Sequence, residues 1–127
     1  MRHLSWPRQR RLLRRPDFVR CFDRGFKHFT RNFILFALLR SDRPSFRMGL
    51  TVSRKSGPAV TRNRIKRVLR EFFRLHQHAI ELPLDIVVVP KRNLDPESLN
   101  LALATEELLP ALGTLQRKIG SELTERT

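Results

Sequence analysis

The chain has 127 residues, 40% of them hydrophobic, enough for one domain with a modest core. Its 26 Lys and Arg against 12 Asp and Glu give a formal charge of +14 and a pI near 11.7, which calls for an anionic partner, nucleic acid before an anionic membrane surface. No apolar run nears the ~20 residues of a spanning helix, no apolar signal core follows the basic first residues, and a lone Cys21 excludes an internal disulfide, so a cytoplasmic location is expected.

Residues 1–14 are basic, lack a sustained apolar period and contain Pro7, which predicts a flexible arm that orders on RNA. Pro16 suits a first helical turn, Phe18, Val19 and Phe22 recur at helical spacing, and Gly25 is a stop signal, so the first helix is expected over 16–24. Cys21, flanked by Phe18, Phe22 and Phe26, reads as a small partly buried hydrophobe rather than a nucleophile. Residues 26–39 read as extended. Phe26 and Phe29 mark a short strand, and the apolar run from Phe33 to Leu38 marks a strand buried on both sides or with one face under a ligand. Ser41-Asp42-Arg43-Pro44-Ser45 is turn chemistry. Phe46, Met48, Leu50 and Val52 alternate with Arg47, Gly49, Thr51 and Ser53 in a further strand, and the two long strands are expected to pair as an antiparallel hairpin.

Arg54 to Ala59 is a basic loop with Gly57-Pro58, and the second helix is expected over about 60–77 with Thr61 near its start as a cap. At about 100° per residue, Arg62, Asn63, Lys66, Arg67, Arg70 and Arg74 fan over one side, while Ile65, Val68, Leu69, Phe72 and Phe73 fall on the other. A solvated face is the plain alternative, but cations one turn apart without carboxylate neighbours repel one another, which favours a polyanion. Arg64 points elsewhere, toward Glu71. Asp85-Ile86-Val87-Val88-Val89, ended by Pro90, is a buried strand. Asp95-Pro96-Glu97 signals the third helix, roughly 96–117, with Leu99, Ala102, Leu103, Leu109 and Leu112 as its apolar stripe. Pro110 is expected to kink or interrupt it, and the tail from about 119 to 127 to be frayed.

The expected architecture is therefore one α+β RNA-binding domain over 1–127, a two-layer sandwich in the order helix-strand-strand-strand-helix-strand-helix. Phe18 and Phe22, one turn apart, together with Phe36, read either as core or as an apolar floor on which bases stack. Phe33, Phe46, Phe72 and Phe73 read as core. His76 and His78 are two apart and diverge on a helix, His3 and His28 have no partner at ligand spacing, Glu106-Glu107 read as a solvated face, and no Gly-rich phosphate loop is present. No metal site is expected on the protein, and no carboxylate cluster supports a protein-only nuclease.

The run Gly57-Pro58-Ala59-Val60-Thr61-Arg62-Asn63-Arg64-Ile65-Lys66-Arg67-Val68-Leu69-Arg70 resembles the signature of the bacterial ribonuclease P protein subunit family. Asp17-Phe18 with Phe22, the run Asn32 to Phe36, Met48 to Lys55, and Asp85 to Val89 extend the resemblance over roughly residues 10–118. It departs where the family often has Tyr, since Phe36 stands there and the chain has no Tyr, and where Arg54 replaces a frequent Lys. The resemblance implies a left-handed β-α-β crossover around residues 46–89, against the usual hand. It implies a subunit that binds a catalytic RNA and the 5′ leader of precursor tRNA without bond chemistry of its own. Mg2+ would be held mainly by the RNA and substrate. On that reading Arg62, Asn63, Lys66, Arg67, Arg70 and Arg74 contact the catalytic RNA. Phe18, Phe22 and Phe36 hold leader bases, Arg54 and Lys55 hold leader phosphates, and the protein alone is monomeric. A ribosomal-type structural RNA binder without a substrate role is the rival.

Overall fold

The structure, a computed structural model, describes residues 6–126, with side chains through Glu122. Its regular elements are α1 (Arg15–Arg24), β1 (Phe26–Phe29), β2 (Phe33–Leu39), β3 (Arg47–Leu50), α2 (Ala59–Leu75), β4 (Leu84–Pro90) and α3 (Leu101–Arg126). The strands form one mixed sheet in the order β1-β2-β4-β3.

The expected hairpin between the two long strands does not form. β4 lies between them, antiparallel to β2 from Phe33 opposite Pro90 to Leu39 opposite Leu84, and parallel to β3 from Arg47 opposite Asp85. Two features of β4 account for this. Its Leu84–Val88 run is buried throughout, so it gains most from a neighbour on each edge. Asp85 near its start also draws in Arg40, just past β2, and Arg47, the first residue of β3, from opposite sides. β3, α2 and β4 thus form a parallel crossover unit between adjacent strands.

Alternate residues of the sheet serve two apolar clusters. Phe33, Leu35, Met48, Ile86 and Val88 pack with Ile65, Leu69, Phe72 and Phe73 of α2 and with Leu108, Leu112 and Leu115 of α3. Each of those four α2 side chains is fully buried, worth about 1.5–3 kcal/mol apiece as an upper estimate. On the opposite face Val87 packs with Leu12 and Cys21, and with the half-buried Phe18, Phe36, Leu38 and Val89. The two-layer arrangement therefore describes α2 and α3 over one face, while α1 partly covers the other.

The element ends depart from expectation for local reasons. Thr61 does not cap α2: Pro58 occupies that position with no side-chain cap, and Gly57 before it has φ 128°, ψ −170°, a conformation only glycine adopts without strain. Asp95-Pro96-Glu97 makes an isolated turn, with Asp95 accepting from the Glu97 N–H and the Ser98 hydroxyl. Buried Leu99 then anchors the chain, and Asn100 caps α3 by accepting from the Leu103 N–H at 2.8 Å. α3 runs unbroken through Pro110 to Arg126, so the proline does not interrupt it. Pro110 and Glu106, whose carbonyl the proline leaves without its helical donor, are both exposed residues. Glu107 is not solvated face: its carboxylate accepts from the Asn32 N–H and Nδ2, each at 2.7 Å, and from the Thr30 hydroxyl, tying α3 to the β1–β2 turn.

Of the expected flexible arm, residues 1–5 lie outside the described residues, and the remainder is docked along the outer edge of β3. Leu12 is buried and its N–H donates to the Met48 carbonyl at 3.0 Å. Trp6 lies 5.8 Å from the Phe46 ring, and the Arg10 guanidinium sits 4.7 Å over the same ring. This strap covers strand edge that would otherwise be open.

Candidate nucleic-acid interface

The apolar side of α2 is consumed by the core, so its cationic side faces outward by default. Asn63, Arg67 and Arg70 are exposed and Lys66 is half-buried. Among the described residues, Lys66, Arg67 and Arg70 form no ion pair. Arg62 lies at the border of the face, its Nε buried without a hydrogen-bond partner. Arg74 belongs to the face but is engaged: its Nε donates to Glu71 at 3.0 Å, and that guanidinium holds the Glu71 carboxyl below its ordinary range. Glu71 is therefore the partner of Arg74 and not of Arg64. Arg64 instead donates to the backbone carbonyls of Glu97 and Leu99 at 3.4 and 3.3 Å, fastening α2 to the turn before α3.

Phe18, Phe22 and Phe36 do come together, on the opposite face of the sheet. Phe22 is 37% exposed and meets Phe36 edge-on at 4.8 Å between centroids. Phe18 is seated over β3 at Gly49, where a Cβ would fall 2.5 Å from its ring. Only a residue without a side chain admits Phe18 there. Lys27, opposite Phe36 in the β1–β2 register, reaches over the Phe29 and Phe36 rings at 5.1 and 5.7 Å. Phe29 is 57% exposed. Neither Lys27 nor Phe29 was expected here, and the register alone reveals them. The floor is thus an open aromatic surface with a cation at its edge, suited to stacking of unpaired bases.

Lys55 lies in a turn after β3, with Ser53 accepting its N–H. It shares a hollow of about 230 Å³ with Ser53, Ser56, Lys91, Arg92 and Val89. Val89 of its lining belongs to the α1 side of the sheet and Ile65 and Leu94 to the α2 side, so the hollow lies at the end of the sheet between its two faces. Lys91 and Arg92 are further cations that sequence reasoning missed, because they follow β4 and meet Lys55 only in space. Arg54 is exposed in the same turn but does not line the hollow.

A buried ion network sets the pose of α1. Asp85, 1% exposed, accepts from Arg47 Nε at 2.8 Å and Nη2 at 2.7 Å and from Arg40 Nη1 at 3.0 Å. Asp17, one residue before Phe18, lies 3.5 Å from Arg47 and 3.7 Å from Arg40. Cys21 is fully buried beside them, its thiol directed at the Phe36 and Asp85 carbonyls, and burial followed by the Asp85 charge pushes its pKa up to about 12. A neutral packed thiol is no nucleophile. Among the described residues no group of three or more His, Cys, Asp or Glu side chains has the arrangement to hold a metal ion, and no helix is long and apolar enough to cross a membrane.

Comparison with known proteins accords with this geometry. The family model described as Ribonuclease P matches residues 6–116. The chain is 52% identical over 118 residues to the ribonuclease P protein component of Maridesulfovibrio salexigens, covering 92% of this chain and 95% of that protein. It is 50% identical over 121 residues to that of Oleidesulfovibrio alaskensis, covering 94% and 97%. The RNase P protein of Thermotoga maritima superposes with a TM-score of 0.74 at 34% identity, over 80% of this chain and 94% of that one. The Staphylococcus aureus RNase P protein does so with 0.73 at 29% identity, over 84% and 96%.

Proposed function

The chain belongs to the ribonuclease P protein family and is the protein subunit of that ribonucleoprotein, and from this premise we propose how it divides its two RNA partners between the faces of the sheet. The cationic face of α2 docks on the catalytic RNA. Arg62, Arg67 and Arg70 fork onto phosphate oxygens, Lys66 acts as a compact charge, and Asn63 bonds a phosphate, a 2′-hydroxyl or a base edge. Arg74 joins them while sharing its charge with Glu71. On the other face, Phe18, Phe22 and Phe36 carry unpaired bases of the 5′ leader of precursor tRNA. Lys27 and the Lys55, Lys91 and Arg92 group hold its phosphates, with Arg54 at their margin.

The observation that carries this reading is the opposition of the two surfaces. A core-backed helix presents unpaired cations on one side of the sheet, and an open aromatic floor lies on the other, held by the Asp17–Arg47–Asp85 network. The protein positions RNA, and cleavage of the leader belongs to the RNA partner. On this reading Mg2+ is an ion of the RNA and its substrate, which supply the phosphate oxygens it prefers. The protein works in the cytoplasm, and by itself is a monomer.

The test is reconstitution at low salt with Mg2+ and precursor tRNA. Leader removal is expected to be stimulated when protein and catalytic RNA are combined, and absent with protein alone. Cleavage by protein alone would transfer the chemistry to the protein. Absence of stimulation in the mixture would leave a structural RNA binder without a substrate role.

A further inference from the structure

We infer that the groove between the docked strap and α2, at the outer edge of β3, seats a nucleotide of the catalytic RNA, and that Arg11 and Trp6 extend the RNA interface beyond α2. The inference rests on the assignment of α2 to that RNA and adds a second wall to it.

The groove opens as a hollow of about 410 Å³, lined among others by Trp6, Arg11, Leu13, Phe18, Lys66 and Arg70. That volume lies within the ~300–1,000 Å³ of clefts that take small ligands. Its lining carries three cations and no carboxylate. A second hollow of about 440 Å³ shares Trp6, Arg11 and Arg70 and continues along α2 past Asn63 and Arg67. Glu71 lines the second hollow, but its carboxylate is taken by Arg74.

The walls are held in place before RNA arrives. Leu12 is buried with its N–H on Met48, and Trp6 and Arg10 pack on Phe46. Arg11, between these anchors, is exposed, and its guanidinium makes one long bond of 3.4 Å to the Trp6 carbonyl. It lines the groove together with Lys66 and Arg70, while Leu13, 55% exposed, and Leu50 supply carbon surface. Three cations around a recess of mixed polar and carbon surface match the two halves of a nucleotide, a phosphate for the charges and a base for the carbon surface. The occupant is the catalytic RNA rather than the leader because the second hollow leads away along the rest of the α2 cations.

Two measurements on the full-length chain test this, using the catalytic RNA of the same ribonucleoprotein. R11Q is expected to make the salt dependence of RNA affinity less steep by about 0.7–0.9 in the log–log slope, the value of one neutralised phosphate, and R11K to restore it. Trp6 is the single tryptophan, so its emission reports both whether the strap of R11Q stays docked in the free protein and whether RNA reaches the groove. Catalytic RNA is expected to shield it from a soluble quencher. An unchanged slope in R11Q, or a Trp6 left equally open to quencher in the complex, overturns the proposal. So does an R11Q effect confined to the ratio of leader-bearing to leaderless substrate affinity, which would hand the groove to the leader. R67A, outside the first hollow, is measured in parallel. A flattened slope in R67A with none in R11Q sinks the groove alone, whereas no change in either sinks the α2 assignment with it.

Discussion

Asp85 concentrates more of the structure's risk than any other side chain. It is 1% exposed and faces two guanidinium groups, so removing its charge leaves Arg47, itself buried, with only the longer 3.5 Å contact to Asp17. Asp85→Asn is expected to cost about 3–5 kcal/mol, read as a fall in the thermal midpoint on the order of 10 °C. Asp42→Asn, at the exposed end of the Arg40 pair, is expected to change it far less. Cys21 gives a pH-dependent counterpart. Its thiol titrates near 9.0 when free of the fold and at about 12 within it. Between those values the unfolded chain has lost a proton that the folded chain retains, so stability falls as pH rises, by up to about 1.4 kcal/mol per pH unit. Unfolding measured against pH is expected to show this fall in the wild type and a shallower one in Cys21→Ala. At pH 8 a thiol reagent is expected to modify Cys21 only as fast as the protein opens. The buried thiol was legible in the aromatic residues around Cys21. Its neighbour Asp85 was not, because an Asp at the start of an apolar strand gives no hint of which arginines will find it.

At the scale of elements, α2 is the decisive one. Its two faces follow from residue spacing alone, and the fold leaves the cationic one open. Arg67→Ala combined with Arg70→Ala is expected to weaken catalytic-RNA binding and to flatten its salt dependence by ~0.7–0.9 in slope for each phosphate no longer neutralised. An unchanged slope would return these residues to the role of solvated surface. Helix identity, approximate extent and facing were all readable here because burial of one stripe and charge on the other are the same pattern seen twice. Element ends were less readable. Asn100 caps α3 and Asp95 does not, because buried Leu99 draws the chain inward between them. Burial of a particular leucine is not a local property.

For the molecule as a whole, the sheet separates the cationic face of α2 from the aromatic floor, the two surfaces proposed to divide catalytic RNA and leader. Phe22 is the side chain that tests the leader side most cleanly, since it is partly exposed, whereas Phe18 is wedged over Gly49 and its truncation would also disturb packing. Phe22→Ala is expected to weaken leader-bearing precursor tRNA by about 1–3 kcal/mol, roughly 5- to 150-fold, in the reconstituted holoenzyme. Leaderless tRNA is expected to bind unchanged. An equal reduction for both would make the floor ordinary packing.

The amino-acid sequence by itself determined the α+β class, the helical and extended stretches, the two-sided character of α2 and the family, because each depends on residues near one another along the chain. Tertiary structure alone decided that β4 stands between β2 and β3, that α1 covers the face opposite α2, and that residues 6–14 strap the sheet edge. It also decided that Lys27 reaches over Phe36 and that Lys91 and Arg92 share a hollow with Lys55. These outcomes turn on which strand most needs burial on both edges and on where Asp85 collects its arginines. Those are competitions among segments far apart in sequence, and they are settled only when the whole core closes.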